Sequence, residues 1–291
     1  MPNVGAADAD VDNRPSKPIT HRLANQLRSI KLSNMFEGNL DTRPGYPAYR
    51  VQFARNSVQM PYDDFEVRRV TKEASSPIVM QTSDDGQYAA MLDVTSRNVI
   101  AFCRKHDLGY RSFKGIKCGH WQWHACFNRL YMFDELIAAG HQDWVMYLDA
   151  DAYVADMEFP IRQYLDEKKG HAGIVVHSNF KPEPWDVNNG VMFLNLATPV
   201  ARAVVKDWIK RHSEIFNEPK YLSRERPYNF GDQRLLQHIF RDRPDWFAEF
   251  HVESQSLINS MHATFIKHHL RAITPDFDSR LVKIRQDLES I

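Results

Sequence analysis

The chain has 291 residues, 43% hydrophobic and 25% charged, which suits a globular protein with a full core and excludes the disordered and fibrous classes. Lys+Arg and Asp+Glu each number 37, so no global field points to nucleic acid or an anionic membrane, and any phosphate recognition has to be local. The cysteines, Cys103, Cys118 and Cys126, are odd in number and lack a CxxC pair, which argues against a disulfide framework or structural zinc and for a reducing compartment.

Residues 1–19, rich in Asp, Asn, Pro and small side chains, read as a disordered lead. They lack the apolar core of a signal peptide, and no stretch approaches the roughly 18 apolar residues of a membrane span. The expected setting is the cytoplasm, or the Golgi lumen if an anchor lies outside this sequence. Residues 20–76 read as an N-terminal extension packed on the core. Thr20 N-caps a short helix with Leu23, Leu27 and Ile30 on one face and Arg22, Arg28 and Lys31 elsewhere, and Tyr49, Val51 and Phe53 alternate as in a strand. Nine Lys/Arg against five Asp/Glu between 20 and 72 leave two readings of that helix open, docking on the main domain or peripheral contact with anionic lipid.

The main domain is expected over 77–275. Ile78-Val-Met80 reads as a strand and Gln81 to Gly86 as the loop leaving it. Tyr88, Met91, Leu92, Thr95, Val99 and Phe102 then recur at helical spacing, with a stop at Gly109. Leu108 to Phe113 makes a second strand and Phe127 to Ala139 a second helix. Val145-Met-Tyr-Leu148 is apolar throughout, as strands buried on both faces are. Strand, helix, strand, helix, strand is the rhythm of a parallel α/β sheet. Gly173-Ile-Val-Val176 and Gly190-Val-Met-Phe-Leu194 are further strands, separated by a polar loop over 179–189. Thr198 caps a helix opened by Pro199 and marked by Val200, Val204, Trp208 and Ile215. Residues 232–241 are helical, and a last helix occupies 276–291.

The strand over 145–148 runs into Asp149-Ala-Asp151. Ligands of open α/β sheets bind at the carboxyl ends of strands, and two hard oxygen donors there suit Mg²⁺ or Mn²⁺ with coordination positions to spare. An Asp-rich turn after a strand has the same appearance. Asn188-Asn189-Gly190 reads either as a turn or as amides and open backbone for sugar hydroxyls. Gly231-Asp232-Gln233 reads either as a helix start favoured by the macrodipole or as an active-site acid. Late in the chain stand His262, His268 and His269, and a neutral imidazole would complete a two-carboxylate metal site. Trp185, in the polar loop, is a candidate for stacking on a sugar.

Taken in order, Asp149-Ala-Asp151, Asn188-Asn189-Gly190-Val-Met-Phe-Leu194, Gly231-Asp232-Gln233 and Phe265-Ile-Lys-His268 resemble the motifs of GT-A nucleotide-sugar glycosyltransferases. The likeness is greatest to the galactosyl/xylosyltransferase group that includes yeast mannan-type galactosyltransferases and plant xyloglucan xylosyltransferases. It covers about 77–275. The resemblance implies a GT-A-like α/β fold, a mostly parallel sheet flanked by helices. It implies a metal-dependent enzyme, with Mn²⁺ or Mg²⁺ as cofactor, moving a sugar with retention from a nucleoside diphosphate sugar, a UDP-sugar favoured, to a glycan or other hydroxyl acceptor. Carried over by position, Asp149 would sit by the ribose and the metal, and Asp151 and His268 would ligate the metal. Asn189 and Gly190 would form the sugar pocket, Asp232 and Gln233 would flank the transferred sugar, Gln81 and Thr82 would face the nucleoside, and Arg129 would meet phosphate. The family's glycine shortly after the metal histidine is replaced here by His269-Leu270-Arg271. His262 and His269 therefore rival His268, and Arg271 or Lys267 could stabilise the leaving diphosphate. Two other readings stand beside this one. A haloacid-dehalogenase-like phosphatase also has paired aspartates, but with Thr or Ser where this chain has Tyr153; a non-catalytic sugar-nucleotide or glycan-binding module would keep the fold alone.

Overall fold

A computed structural model of the chain describes residues 76–178 and 183–291. The expected helix at 20–31, the strand at 49–53 and the first part of the polar loop lie outside the described residues. The strands that position everything else are β1 (Ile78–Ser83), β2 (Gly109–Lys114), β3 (Trp144–Asp149), β5 (Gly173–His177), β6 (Val187–Asn195) and β7 (Phe250–Glu253), in the order β2-β1-β3-β6-β5-β7. The pairings β1/β2, β1/β3 and β5/β7 are parallel, whereas β6 runs antiparallel to both its neighbours. The sheet is thus mostly parallel, as the apolar runs imply, with one reversed strand in its middle.

Alternation along the strands explains why they are apolar throughout. Val145 and Tyr147 point to one face, into a cluster with Leu130, Phe133, Val204, Trp208 and Leu236 of helices α2 (Asn128–Ala138), α4 (Pro199–Glu214) and α5 (Asp232–Asp242). Trp144, Met146 and Leu148 point to the other, against Val99, Phe102 and Leu165 of α1 (Gln87–His106) and α3 (Ile161–Glu167). A sheet covered on both sides leaves no strand face for polar side chains. At roughly 25 cal/mol per Å² of apolar surface removed from water, each such side chain stabilises the fold by about 1.5–3 kcal/mol.

A second, three-stranded sheet is formed by β4 (Ala152–Val154), β8 (Ile258–Ser260) and β9 (Ile266–His268), with β9 central. β4 pairs antiparallel with β9 so that Ala152 stands opposite His268. The last helix, α6 (Phe277–Glu289), is N-capped by Asp276, whose carboxylate accepts from Ser279 N at 2.7 Å, and packs through Leu281 and Ile284 on Met91 and Tyr153. Among the described residues, no helix is long and apolar enough to cross a membrane. None of the three cysteines is in a disulfide.

Three local expectations are corrected. The stop of α1 is Asp107, left-handed at φ 56°, and not Gly109, which already belongs to β2; there a Cβ would meet Ile78 Cγ1 at 2.9 Å. Asn188-Asn189-Gly190 is not a turn but part of β6, because pairing of Val187 with His177 and Asn188 with Val176 outweighs the local turn preference. Trp185 packs on the main hydrophobic cluster and does not line the cleft described below. The Thr198 cap is as expected, its hydroxyl accepting from Ala201 N at 3.2 Å.

Two histidines are enclosed beside the cleft. His124 accepts the His120 N–H at Nδ1 (2.7 Å), so its Nε2–H faces the Tyr221 carbonyl at 3.0 Å. His212 stacks on Phe127 at 3.9 Å, with Nδ1 2.8 Å from the Tyr131 hydroxyl. Burial, only partly offset for His124 by its carbonyl, lowers its pKa to about 3, and burial holds His212 well below the ordinary 6.5. The folded chain therefore refuses protons that the unfolded chain takes up below about 6.5. Stability is complete above that pH and falls beneath it, by up to roughly 1.4 kcal/mol per pH unit for each histidine. We predict that thermal melts between pH 7 and 4.5 show this decline and that His212→Gln makes it shallower. An unchanged pH slope in that variant would refute the assignment to His212.

Candidate metal centre and cleft

The carboxyl ends of β1 and β3 lie side by side, with Thr82 in register with Asp149. They open into a cleft of about 340 Å³. Its floor is built from strand alternation: Tyr147 and Asp149 share one face of β3, and the Tyr147 hydroxyl donates to Asp149 Oδ1 at 2.9 Å. Arg129, on α2, lies 4.0 Å above the Tyr147 ring and donates through Nη2 to the same carboxylate oxygen at 2.7 Å. Its Nη1 donates to the Asn189 carbonyl, and Nε stands 3.1 Å from Asp232 Oδ2. Asn189 closes the ring, its amide donating to Asp232 Oδ2 at 2.6 Å. Burial alone would lower the Arg129 pKa, but Asp149 and Asp232 outweigh it and raise it, so the guanidinium stays charged.

Asp232 opens α5 directly after Gly231, which sits at φ 150°. Its carbonyl accepts from Trp208 Nε1 at 2.9 Å, so the first turn of the helix is fixed from beneath. A helix N-terminus favours a carboxylate, and this one also lines the cleft. Gln233 lines the same wall.

On the opposite side the β4/β9 pairing brings His268 to Asp151, with Nε2 3.1 Å from Asp151 Oδ1 and 3.8 Å from Asp149 Oδ2. Asn259 Oδ1 stands 2.7 Å from His268 Nδ1 and fixes the ring. Burial pushes the Asp151 pKa up, but His268 and Arg280 together outweigh it and lower it. Burial pushes the His268 pKa down, and Asp151 and Asp149 reverse that and raise it.

The rivalry among the late histidines has a geometric outcome. His262 is exposed, and His269 turns away, its Nε2 3.2 Å from Asp287 Oδ2. Only His268 joins the two aspartates, the ligand atoms of all three lying within 4.8 Å of one another. Two carboxylate oxygens and one imidazole nitrogen suit Mn²⁺ or Mg²⁺. Gly190 supports that fit, because a Cβ there would lie 2.2 Å from His268 Cε1 and 2.9 Å from Asp149 Oδ2. The glycine leaves open the space over which the three ligands converge.

Thr82 also lines the cleft, its hydroxyl donating to the Phe113 carbonyl at 2.8 Å and accepting from Asn128 Nδ2 at 2.9 Å. Gln81 does not, which corrects the expectation that it faces a nucleoside. It is fully buried, accepts from the Tyr110 hydroxyl at 3.0 Å and points its amide at the Ala152 carbonyl, 3.3 Å away. Strand alternation sends Gln81 to the face opposite Thr82. Arg271 lines the rim, whereas Lys267 is directed to Asp287 at 3.8 Å. Sequence reasoning missed Tyr147, Asn259, Arg226 and Arg280. Only Tyr147 carried a usable signal, its two-residue spacing from Asp149 on a strand.

Gly190→Ala is predicted to cost at least about tenfold in divalent-cation affinity and, as overpacking, roughly 1–3 kcal/mol of stability. Mn²⁺ titration beside a denaturant melt checks both. Unchanged Mn²⁺ affinity would show that the space above Gly190 is not needed by the ion.

No known family pattern matches the sequence, and no curated protein is significantly similar to it. Solved structures are similar in fold. A glycosyltransferase involved in the glycosylation of the major capsid of PBCV-1 is 15% identical, with 72% of this chain and 99% of that chain covered and a TM-score of 0.53. The galactosyltransferase LgtC, solved with donor and acceptor sugar analogues, is 15% identical over 71% of this chain and 94% of its own, at a TM-score of 0.45. The first likeness spans nearly the whole of the viral enzyme, and with the sheet order and flanking helices described above it gives this chain a GT-A-like fold.

Proposed function

We propose that the protein is a metal-dependent glycosyltransferase that moves a sugar from a nucleoside diphosphate sugar, a UDP-sugar favoured, to a hydroxyl acceptor with retention. The observation that carries this reading is the convergence of Asp149, Asp151 and His268 over Gly190, with Asp232 and Asn189 on the facing wall of one cleft. A divalent cation held by those three residues would supply neutralisation of the charge that builds on the diphosphate as the glycosidic C–O bond breaks.

The remaining work falls to the chain's own groups. Arg129 holds Asp149 and Asp232 in fixed orientation from behind and so keeps the two walls of the cleft in register. Asn189 and Arg129 leave Asp232 Oδ1 as the carboxylate oxygen without a hydrogen bond from either. That oxygen can stabilise positive charge developing at the anomeric carbon. Arg271, at the rim, would take the leaving diphosphate, and Thr82 would border the nucleoside. Asp151, Asn189, Asp232 and His268 are buried at the floor of the cleft, where a bound donor would exclude further water.

Two measurements test the reading. Asp151→Ala is a poor probe, since it would leave the buried Arg280 guanidinium facing a cavity, whereas asparagine keeps an oxygen acceptor there. Asp151→Asn keeps the volume and is predicted to reduce Mn²⁺-dependent UDP binding by about tenfold or more. Thermal shift against UDP, GDP and CMP compounds, each with and without Mn²⁺, reads both the nucleotide preference and its loss. A wild-type protein indifferent to every nucleotide would sink the proposal. Asp232→Asn is predicted to lower turnover far more than donor affinity, because its charge matters most in the transition state. If that variant instead raised the Michaelis constant for donor at constant turnover, Asp232 would be a ground-state contact. Donor binding without transfer or hydrolysis under any acceptor would favour the non-catalytic module.

A further inference from the structure

Behind Asp151 lies a charge that the sequence motifs do not include. Arg280, on α6, is 1% exposed, and its Nη1 stands 3.6 Å from Asp151 Oδ2. Its Nη2 donates to the Tyr88 hydroxyl at 2.8 Å, and the guanidinium lies 5.3 Å from the centre of the Tyr88 ring. Nε and Nη1 have no hydrogen-bond partner among the described residues. So enclosed and so incompletely bonded, the group is a costly packing element, since an apolar side chain of similar volume would avoid the desolvation. What it contributes is a positive charge beside one carboxylate of the candidate metal set, in surroundings of low dielectric where that charge acts strongly.

Each of the three site aspartates has an arginine beside it. Asp149, Asp151 and Asp232 face Arg129, Arg280 and, at the rim, Arg226, whose Nη2 is 4.0 Å from Asp232 Oδ1. These three pairs carry no net charge before anything binds, Asp84 and Arg271 on the cleft lining add one charge of each sign, and His268 can ligate an ion only as the neutral imidazole. A divalent cation entering alone would meet no net attraction and would leave its own two charges uncompensated. A diphosphate arriving with the cation cancels that excess, and the same arginines then attract the pair.

We propose that Arg280 is a selectivity residue acting through Asp151: it weakens the site for a bare divalent cation and favours the cation together with a nucleoside diphosphate. The proposal rests on the donor class inferred above and adds to it the order of affinity at the ion site. A second consequence is that α6 belongs to the functional unit although it lies beyond 77–275, the span of the motif resemblance. Asp287 on the same helix is 3.2 Å from His269 Nε2 and bonds the Tyr153 hydroxyl, so the helix fastens β4 and the end of β9, either side of the Asp151–His268 contact.

The test is Mn²⁺ binding to the intact chain, read by water-proton relaxation with and without UDP, in the wild type, Arg280→Met and Arg280→Lys. In the wild type UDP should tighten Mn²⁺ binding about tenfold or more, and Mn²⁺ should tighten UDP binding by the same factor, because coupling of this kind is reciprocal. Arg280→Met should bind bare Mn²⁺ roughly tenfold more tightly and lose most of the coupling, while Arg280→Lys, which keeps the charge, retains the wild-type pattern. Bare Mn²⁺ and Mn²⁺ with UDP weakening together in Arg280→Met would overturn the proposal and leave Arg280 a packing residue. Should Arg280→Met fail to fold, the wild-type measurement decides: Mn²⁺ affinity indifferent to bound UDP overturns the proposal. Failure of UDP to bind with or without Mn²⁺ overturns the nucleotide reading itself, a result distinct from binding without coupling.

Discussion

The structure of the cleft depends on one buried guanidinium. Arg129 comes from α2 and reaches β3 through Asp149, β6 through the Asn189 carbonyl and the start of α5 through Asp232. Four elements from four parts of the chain are thereby held at one point. A charge taken out of water is tolerated only when paired and hydrogen-bonded, and pairing Arg129 requires all of these partners at once. The constraint is mutual, since Asp149 and Asp232 would be unpaired buried acids without it. Tyr147, stacked beneath the guanidinium and bonded to Asp149, fills the remaining side.

Around that point the fold separates two tasks. The six-stranded sheet supplies rigidity, with both faces packed, and delivers Asp149 and Asn189 from adjacent strands β3 and β6. The small sheet supplies approach, because pairing of β4 with β9 carries His268 to Asp151 across 117 positions of sequence. Asp149 ends β3 of the large sheet, whereas Asp151, one turn residue later, leads directly into β4 of the small one. Each carboxylate has its own arginine, Arg129 for Asp149 and Arg280 for Asp151.

Turn chemistry is where local and tertiary preferences disagree, and one such disagreement lies at the cleft. Asn-Asn-Gly is a turn by propensity, yet it is strand here because β5 and β3 both pair with β6. The glycine is retained in that strand for close approach to His268 and Asp149. A residue type poor for a strand at that position is consistent with a site that needs space more than local stability.

The sequence alone determined the layered α/β architecture, since apolar runs of strand length alternating with helical periodicity admit few other arrangements, and it determined that a carboxylate pair ends β3. It also singled out Asp232 and the late histidines, because acids and imidazoles in a recurring order carry information that survives the loss of overall identity. Tertiary structure alone decided that His268, and not His262 or His269, meets the aspartates, since only the β4/β9 pairing puts it opposite Ala152, while His269 turns to Asp287 and His262 is exposed. It likewise decided that Gln81 is a core residue and that Arg280 is part of the cleft's electrostatics. Periodicity reports which face a side chain takes within its own element, whereas the partner that face meets depends on how distant elements pack, and charge pairing across 129 positions leaves no local trace.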